Sequence, residues 1–254
     1  MYRTDLEAQL AKKTTRAIVD HGLIEEGDRV MVGLSGGKDS WSLLQILHVL
    51  RRRAPIDFDI FAVTVDAGFQ GFDHQAIARA CAERGWRCRV ETTRISAVMN
   101  DLLEPGDTPC SLCARLRRGA LYRLATEEGA TKIALGHHAD DVIETLLMNL
   151  FFGGSLKAMP ARLLSDDGAH VVVRPLVYVF EQETAAYAEQ MRLPIQASCC
   201  TSCRDMAVER RRTKQLVADL EMERPGIRRS MLTAVSNVVP SHLLDRSLRR
   251  IGTE

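Results

Sequence analysis

Short apolar runs alternate with amphipathic stretches through the first part of the chain. Four apolar runs predict buried strands, at Arg29–Leu34, Asp59–Val65, Cys88–Thr92 and Thr131–Leu135. Helical patterns follow three of them, near 40–51, 73–84 and 140–152. Strands that alternate with helices imply right-handed crossovers and a parallel sheet covered on both faces. The pattern therefore predicts an α/β fold with a doubly wound parallel sheet.

Segments on either side of this core follow other patterns. Residues 3–20 predict an amphipathic N-terminal helix laid against the core. The runs 161–164 and 170–175, separated by Ser165-Asp-Asp-Gly168, predict a hairpin. From Cys203 onward the chain is basic and helical, which predicts a helical C-terminal extension. We expect three regions: a helical segment at 1–24, the α/β domain at 25–197 and the basic extension at 198–254.

Composition limits the class of protein without selecting one. The chain has 254 residues, of which 46% are hydrophobic and 26% charged, the proportions of a globular protein. The formal net charge is +1, so no global field draws the chain to nucleic acid or membrane. A local basic face remains compatible with this balance.

The charge pattern argues against a membrane span or an export signal. The longest stretch without Asp, Glu, Lys or Arg is Ser230–Leu244, which is too short and too polar to cross a bilayer. The first residues contain acids where a signal peptide has its apolar core. We expect a cytoplasmic protein without membrane contact, whose seven cysteines are mostly reduced.

A glycine-rich loop follows the first predicted strand and begins the first predicted helix. It consists of Ser35, Gly36, Gly37, Lys38, Asp39 and Ser40. Glycines let several backbone N–H groups converge on an anion, and the helix N-terminus adds its dipole. Lys38 supplies a formal charge, although the spacing is not that of the Walker loop. The loop predicts a phosphate site.

The ends of the other strands should face the same ligand, because ligands lie outside the carboxyl ends of the strands in such sheets. Asp66 ends the second predicted strand, where it could meet a ribose or a metal ion. The run from Gly136 through His137 and His138 to Asp140 and Asp141 follows the 131–135 strand and begins a helix. The two carboxylates could serve the ligand or only cap that helix.

Two C-x-x-C pairs, Cys110–Cys113 and Cys200–Cys203, form a metal-binding pattern, with Cys199 beside the second pair. Four thiolates could hold structural zinc, and three or four could hold an iron–sulfur cluster. The spacing does not choose between these alternatives. Cys81 and Cys88 are expected to pack as small apolar residues.

The motifs in order resemble a known family. SGGKDS looks like the PP-loop of the ATP-pyrophosphatase superfamily, whose fold is adenine nucleotide alpha hydrolase-like. The run from Cys110 to Gly119, LGHHADD at 135–141, Arg174-Pro-Leu176 and NVVPSHLLD at 237–245 resemble the tRNA 2-thiocytidine synthetases, also called tRNA-cytidine sulfurtransferases. The likeness extends from about residue 5 to 248.

This resemblance implies a set of functional residues. Residues 35–40 would hold the pyrophosphate part of ATP with Mg²⁺, and the catalytic residues would be Lys38, Asp39 and Asp141. Asp66, Gly136, His137 and Asp140 would add to the ATP and Mg²⁺ site. In the family, three cysteines bind a [4Fe-4S] cluster and leave one iron open for sulfur.

Carried over to this chain, the cluster ligands are Cys110, Cys113 and Cys200. The family has proline immediately before the third ligand, whereas this chain has Cys199, and an apparent insertion follows near 208–212. Cys199 therefore stays open as an alternative ligand, and the role of Cys203 stays open as well.

Two basic segments fit an RNA partner. One follows the first C-x-x-C and the other follows the second, and charge runs of this kind also form solvated helix faces. The residues expected to contact tRNA are Arg115, Arg117, Arg118 and Arg211. The resemblance further implies sulfur from a cysteine desulfurase, and a homodimer.

The expected function is ATP-dependent thiolation of a cytidine in the tRNA anticodon loop. AMP attached to the C2 oxygen makes that oxygen a good leaving group, which sulfur then displaces to give 2-thiocytidine. The alternatives are a PP-loop thiolase that acts on a tRNA uridine and a non-catalytic RNA-binding protein that depends on zinc or an iron–sulfur cluster.

Overall fold

The structure is a computed structural model and describes residues 2–103, 109–196 and 207–245. In the second and third of these parts, side chains are described from residues 112 and 208 onward. No helix in the described ranges is long and apolar enough to cross a membrane.

A six-stranded sheet forms the centre of the molecule, in the order β3-β2-β1-β4-β6-β5. The strands are β1 Arg29–Gly33, β2 Asp59–Asp66, β3 Cys88–Thr92, β4 Lys132–Ala134, β5 Arg162–Leu164 and β6 Val171–Val173. β1 to β4 and β6 pair in parallel, and only β5 pairs antiparallel, with β6. The doubly wound sheet and its hairpin are confirmed.

Helices cover both faces of this sheet. Their bounds are α1 Asp5–His21, α2 Lys38–Arg51, α3 His74–Glu83, α4 Ile95–Leu102, α5 Pro109–Glu127, α6 Ala139–Phe152, α7 Glu181–Gln190, α8 Ala207–Glu223 and α9 Ile227–Val235. A 3-10 turn follows at Pro240–His242. The expected N-terminal helix and helical C-terminal extension are present.

The central strands are apolar because both of their faces are buried. In β1, Val30, Met31 and Val32 are completely buried, although they point alternately to the two faces. β1 pairs with β2 on one side and β4 on the other, so the strand order reverses there. The loops after β1 and β4 therefore lie at the topological switch point, where such sheets bind ligands.

The N-terminal helix α1 is part of the packed core. Thr4 caps its first turn by accepting a hydrogen bond from the Glu7 N–H at 3.1 Å. The side chain of Leu10 is completely buried. The buried Glu7 carboxylate accepts a hydrogen bond from the Tyr187 hydroxyl at 3.0 Å, which joins α1 to α7. This contact satisfies a buried charge that would otherwise be costly.

Candidate active site

The glycine-rich loop leads directly from β1 into α2, as expected. Gly36 has a φ of 84°, in the left-handed region that glycine adopts at little cost. A Cβ on Gly36 would lie 3.2 Å from the Ile77 side chain, so the position is also crowded. The Ser40 hydroxyl accepts a hydrogen bond from the Ser35 N–H at 3.2 Å and donates one to the Gly37 carbonyl at 2.9 Å. These bonds hold the loop closed on itself.

Lys38 lies between two carboxylates. Its Nζ is 3.0 Å from Asp39 Oδ2 and 3.1 Å from Glu181 Oε1. Burial by itself lowers the pKa of Lys38, but the hydrogen bonds and charges of Asp39 and Glu181 outweigh that effect and raise it. Lys38 therefore carries its positive charge at neutral pH.

The loop after β4 approaches the N-terminus of α2 very closely. A Cβ on Gly136 would lie 2.9 Å from the Asp39 carbonyl carbon and 2.9 Å from the Ser40 nitrogen. Only glycine leaves room for the two backbones at this separation. The structure thus brings Gly136 against the glycine-rich loop.

The carboxylates of Asp140 and Asp141 have different partners. Asp141 Oδ2 accepts a hydrogen bond from the His138 N–H at 3.0 Å, so it does cap α6. Its other oxygen pairs with Arg210. Asp140 is buried and accepts hydrogen bonds from the Glu181 N–H at 2.7 Å and from Arg228 at 2.9 Å. Asp141 thus opens on the cleft, whereas Asp140 ties α7 and α9 to α6.

The two histidines between β4 and α6 differ in their surroundings. His138 is buried, and its Nε2 lies 3.9 Å from Asp39 Oδ1. The Arg174 Nε donates to His137 Nδ1 at 3.3 Å. Burial lowers the pKa of His137 to about 4, so its ring is neutral at physiological pH.

Asp66 lies at the end of β2, as expected, and both of its carboxylate oxygens already have hydrogen-bond partners. Its Oδ1 accepts a hydrogen bond from the Gly68 N–H at 2.8 Å, and its Oδ2 is 2.7 Å from His74 Nδ1. These side-chain partners of Asp66 belong to the segment after β2 and not to the glycine-rich loop. The assignment of Asp66 to ATP stays a prediction.

Several residues of the site were not predicted from the sequence. Glu181 begins α7, and the Thr184 hydroxyl bonds to Asp39 Oδ1 at 2.5 Å. Burial raises the pKa of Glu181, but Lys214 and Lys38 more than reverse this and hold it at about 2. A cleft of about 400 Å³ lies among these groups, lined by Asp39, His137, His138, Asp141, Glu144, Glu181, Arg210, Arg211 and Lys214.

The cysteines of the two C-x-x-C pairs are described only in part. Cys110 and Cys113 lie near the start of α5, and Cys113 is buried beside Ala67, Ile95 and Met99. Cys199, Cys200 and Cys203 lie outside the described residues. In the described ranges, no group of three or more His, Cys, Asp or Glu side chains is arranged to hold a metal ion. Cys81 and Cys88 pack in and against the core, as expected.

The chain before the second cysteine group is attached to the glycine-rich loop. The Gln196 N–H donates to the Gly36 carbonyl at 2.9 Å. Its side-chain amide bonds to the Asp73 backbone on both sides, as donor to the carbonyl at 2.5 Å and acceptor from the N–H at 3.2 Å. The described chain therefore enters the segment 197–206 from a point beside the loop.

The basic residues after the first C-x-x-C have different environments. Arg115 and Arg118 are exposed on α5. The Arg117 guanidinium lies 6.0 Å from the centre of the Phe69 ring, and its buried Nε has no hydrogen-bond partner among the described residues. Arg123 pairs with Glu91, and at 2.5 Å with Glu127, so its charge is already neutralised.

The fold and the loop at its switch point define a class of protein. The family described as PP-loop domain matches residues 6–219 of the chain. This chain is therefore a PP-loop protein.

The more specific family follows from two relatives. A tRNA-cytidine(32) 2-sulfurtransferase of Geobacter metallireducens is 50% identical over 236 residues, which cover 93% of this chain and 92% of that protein. The same enzyme of Syntrophotalea carbinolica is 48% identical over 245 residues, which cover 96% and 95% of the two chains. The chain belongs to the tRNA-cytidine(32) 2-sulfurtransferase family, as its motifs indicated.

A solved structure supports the fold independently. The U34-tRNA thiolase NcsA from Methanococcus maripaludis, solved with its [4Fe-4S] cluster, superposes with a TM-score of 0.71. The match covers 91% of this chain and 78% of that one, at 23% sequence identity. At this low sequence identity, the similarity between the two structures shows a shared fold alone.

Proposed function

We propose that this protein uses ATP to replace the C2 oxygen of a cytidine in the tRNA anticodon loop with sulfur, as the name of its relatives implies. The observation that carries the proposal is the glycine-rich loop, closed by Ser40 and charged by Lys38, at the switch point of the sheet. Gln196 joins the same loop to the segment that holds the second cysteine group. The described chain thus reaches the glycine-rich loop three residues before Cys199, which supports a sulfur site close to the ATP site.

The first step joins AMP to the cytidine. The C2 oxygen attacks the α-phosphorus of ATP, and the bond to the β-phosphate oxygen breaks to release pyrophosphate. Backbone N–H groups of residues 35–40 and the dipole of α2 bind the pyrophosphate part. Lys38 balances the charge that develops on the leaving oxygen. Gly136, His137 and Asp140, from the loop after β4, and Asp66, at the end of β2, are the further residues that we assign to the ATP and Mg²⁺ site.

Mg²⁺ fits the carboxylates of this edge, since it prefers oxygen ligands and nucleotide phosphates. Asp39 and Asp141 both line the cleft, and Asp141 lies at the N-terminus of α6. We assign to these two residues the binding of the metal ion that accompanies ATP.

The second step replaces the adenylated oxygen. A sulfur nucleophile adds to C2, and AMP leaves with the former C2 oxygen. A [4Fe-4S] cluster, when bound, holds and activates the sulfur that is transferred. Cys110, Cys113 and Cys200 are the proposed ligands, with Cys199 as the alternative to Cys200.

The described part of the cysteine site fits such a cluster. Cys110 and Cys113 lie three residues apart near the start of α5, a spacing typical of paired metal-binding cysteines. Cys113 is enclosed by the apolar cluster that follows β2, which keeps solvent from this place.

The proposed partners are tRNA and a sulfur donor, with a cysteine desulfurase as the donor. Arg115, Arg117, Arg118 and Arg211 are the proposed tRNA contacts. Arg115 and Arg118 are exposed on α5, which leaves their charges accessible to phosphates and supports this role. We also propose that the protein forms a homodimer and is cytoplasmic. The proposed regions of the chain are the N-terminal segment 1–24, the α/β domain 25–197 and the basic extension 198–254.

Substitution of Asp39 tests the ATP assignment. Asp39→Ala is expected to abolish AMP and pyrophosphate formation in the presence of tRNA while iron content is unchanged, because Asp39 serves only the nucleotide. Asp20→Ala is the matched control, since Asp20 is an exposed carboxylate on α1 paired with Arg16. Full turnover in Asp39→Ala would contradict the assignment.

Iron and acid-labile sulfide analysis of anaerobically prepared protein tests the cluster. About four irons and four sulfides per chain are expected. Cys203→Ser should retain them if three cysteines suffice, whereas Cys113→Ser should lose them. Stoichiometric zinc without labile sulfide, after attempted reconstitution, would contradict the cluster.

A further inference from the structure

Helix α8 places two cations against the carboxylates of the ATP site. The Arg210 Nε donates to Glu144 Oε2 at 2.7 Å, and the same guanidinium pairs with Asp141. One turn later, Lys214 Nζ lies 2.5 Å from Glu181 Oε2. Both cations thus face the cleft beside the glycine-rich loop, although they come from the opposite end of the sequence.

The position of α8 is set by apolar contacts that do not involve these charges. Val217 is buried against Ile143 and Leu147 of α6, and Thr213 is buried as well. The helix would therefore remain docked if one surface lysine were changed. Lys214 is about half exposed, so its ion pair contributes little to stability by itself.

Glu181 joins this helix to the glycine-rich loop. One of its oxygens pairs with Lys38 at 3.1 Å and the other with Lys214 at 2.5 Å. The two lysines therefore flank a single carboxylate. Cationic groups gathered in a cleft need counterions, and Glu181 supplies one that the two lysines share.

We propose that Lys214 is a phosphate-binding residue of the ATP site, and that the pyrophosphate part of ATP replaces Glu181 as the counterion of Lys214, while Arg210 keeps its pairs with Asp141 and Glu144. The exchange is one of anion for anion, so each cation remains paired before and after ATP binds. Lys38, from the glycine-rich loop, and Lys214, from α8, would then contact the pyrophosphate from two sides. This inference rests on the proposed use of ATP.

The role differs from the contact with RNA that a basic run first suggests. Lys214 and Arg210 face carboxylates of the nucleotide cleft, and the neighbouring Arg212 is not among the residues that line it. A phosphate-binding role predicts an effect on nucleotide affinity without RNA, whereas an RNA contact predicts none.

Equilibrium binding of α,β-methylene-ATP to the full chain, with Mg²⁺ and without tRNA, tests the proposal. Lys214→Met should weaken binding at least about tenfold, the scale of one lost charge-assisted hydrogen bond, while Lys214→Arg should restore most of the affinity. Arg212→Met is the matched control from the same helix and should bind as the native chain does. Native affinity in Lys214→Met would overturn the proposal, and a loss confined to tRNA affinity would reassign the residue to RNA.

A second variant tests the exchange of anions. Glu181→Gln removes the competing charge, so pyrophosphate measured in the presence of a chelator should bind more tightly than to the native chain. Unchanged or weaker binding would overturn the exchange.

Lys38→Met separates this inference from the proposed function. If Lys38→Met loses nucleotide affinity while Lys214→Met keeps it, only the inference fails. If Lys38→Met also keeps it, the ATP assignment fails.

Discussion

The charged residues at the carboxyl edge of the sheet are linked to one another by ion pairs. Lys38 contacts Asp39 and Glu181, and Glu181 in turn contacts Lys214. Each group in this row of ion pairs favours the charged form of its neighbour. For this reason the pKa of Lys38 is raised and the pKa of Glu181 is lowered to about 2. Both groups therefore stay ionised across the physiological pH range.

A partly buried histidine away from this edge makes the stability of the protein sensitive to acid. His48 stacks on Trp86 with ring centres 4.6 Å apart and planes 6° apart. Burial, followed by the charges of Arg51 and Arg52, lowers its pKa from 6.5 to about 4. The unfolded chain thus binds this proton at a higher pH than the folded chain does.

The free energy of unfolding should therefore fall as the pH drops from 6.5 towards about 4. His48 contributes a slope of at most about 1.4 kcal/mol per pH unit in that range. His48→Phe keeps the stacking and removes the proton site, so its stability should decline less steeply. Urea unfolding of both chains at about pH 7, 6 and 5 measures the difference. Identical slopes would show that His48 does not titrate as described.

At the scale of elements, the site depends on how closely the loops after β1 and β4 approach. The sequence predicted both loops and both following helices, because strand–loop–helix units have clear apolar periodicity. It did not predict α4, α5 or α7. α7 buries few side chains, among them Tyr187 and Ala188, so its sequence lacks a continuous apolar stripe. Glu181 at its N-terminus was missed for the same reason.

Gly136→Ala tests the close approach. The added methyl carbon would lie 2.9 Å from backbone atoms of Asp39 and Ser40, so the loop or the helix must shift. We expect a loss of about 1–3 kcal/mol in stability and a larger loss of nucleotide affinity. Denaturant unfolding and binding of α,β-methylene-ATP measure the two effects.

Gly119→Ala is the matched control for this substitution. Gly119 lies within α5 with open space around its added Cβ, so alanine should raise stability by up to about 1 kcal/mol. Its nucleotide affinity should be unchanged. If both glycine variants bind nucleotide equally well, the approach of the two loops does not matter for the site.

At the scale of the whole molecule, the cleft is assembled from segments that are far apart in the sequence. The loop after β1 and the start of α6 were predicted to meet because parallel strands end at one edge. The contributions of Glu181, Arg210 and Lys214 depend on how α7 and α8 pack on that edge, which local patterns do not encode. The assignment of a family came from motifs in register, and the relatives confirmed it.

Nucleoside analysis of tRNA after reaction tests the central claim most directly. Anaerobically reconstituted protein, incubated with unmodified tRNA, ATP, Mg²⁺ and a sulfide source, should produce 2-thiocytidine detectable by mass spectrometry. Omission of ATP, or use of Asp39→Ala, should abolish the product. 2-Thiouridine in its place, or 2-thiocytidine formed without ATP, would contradict the account.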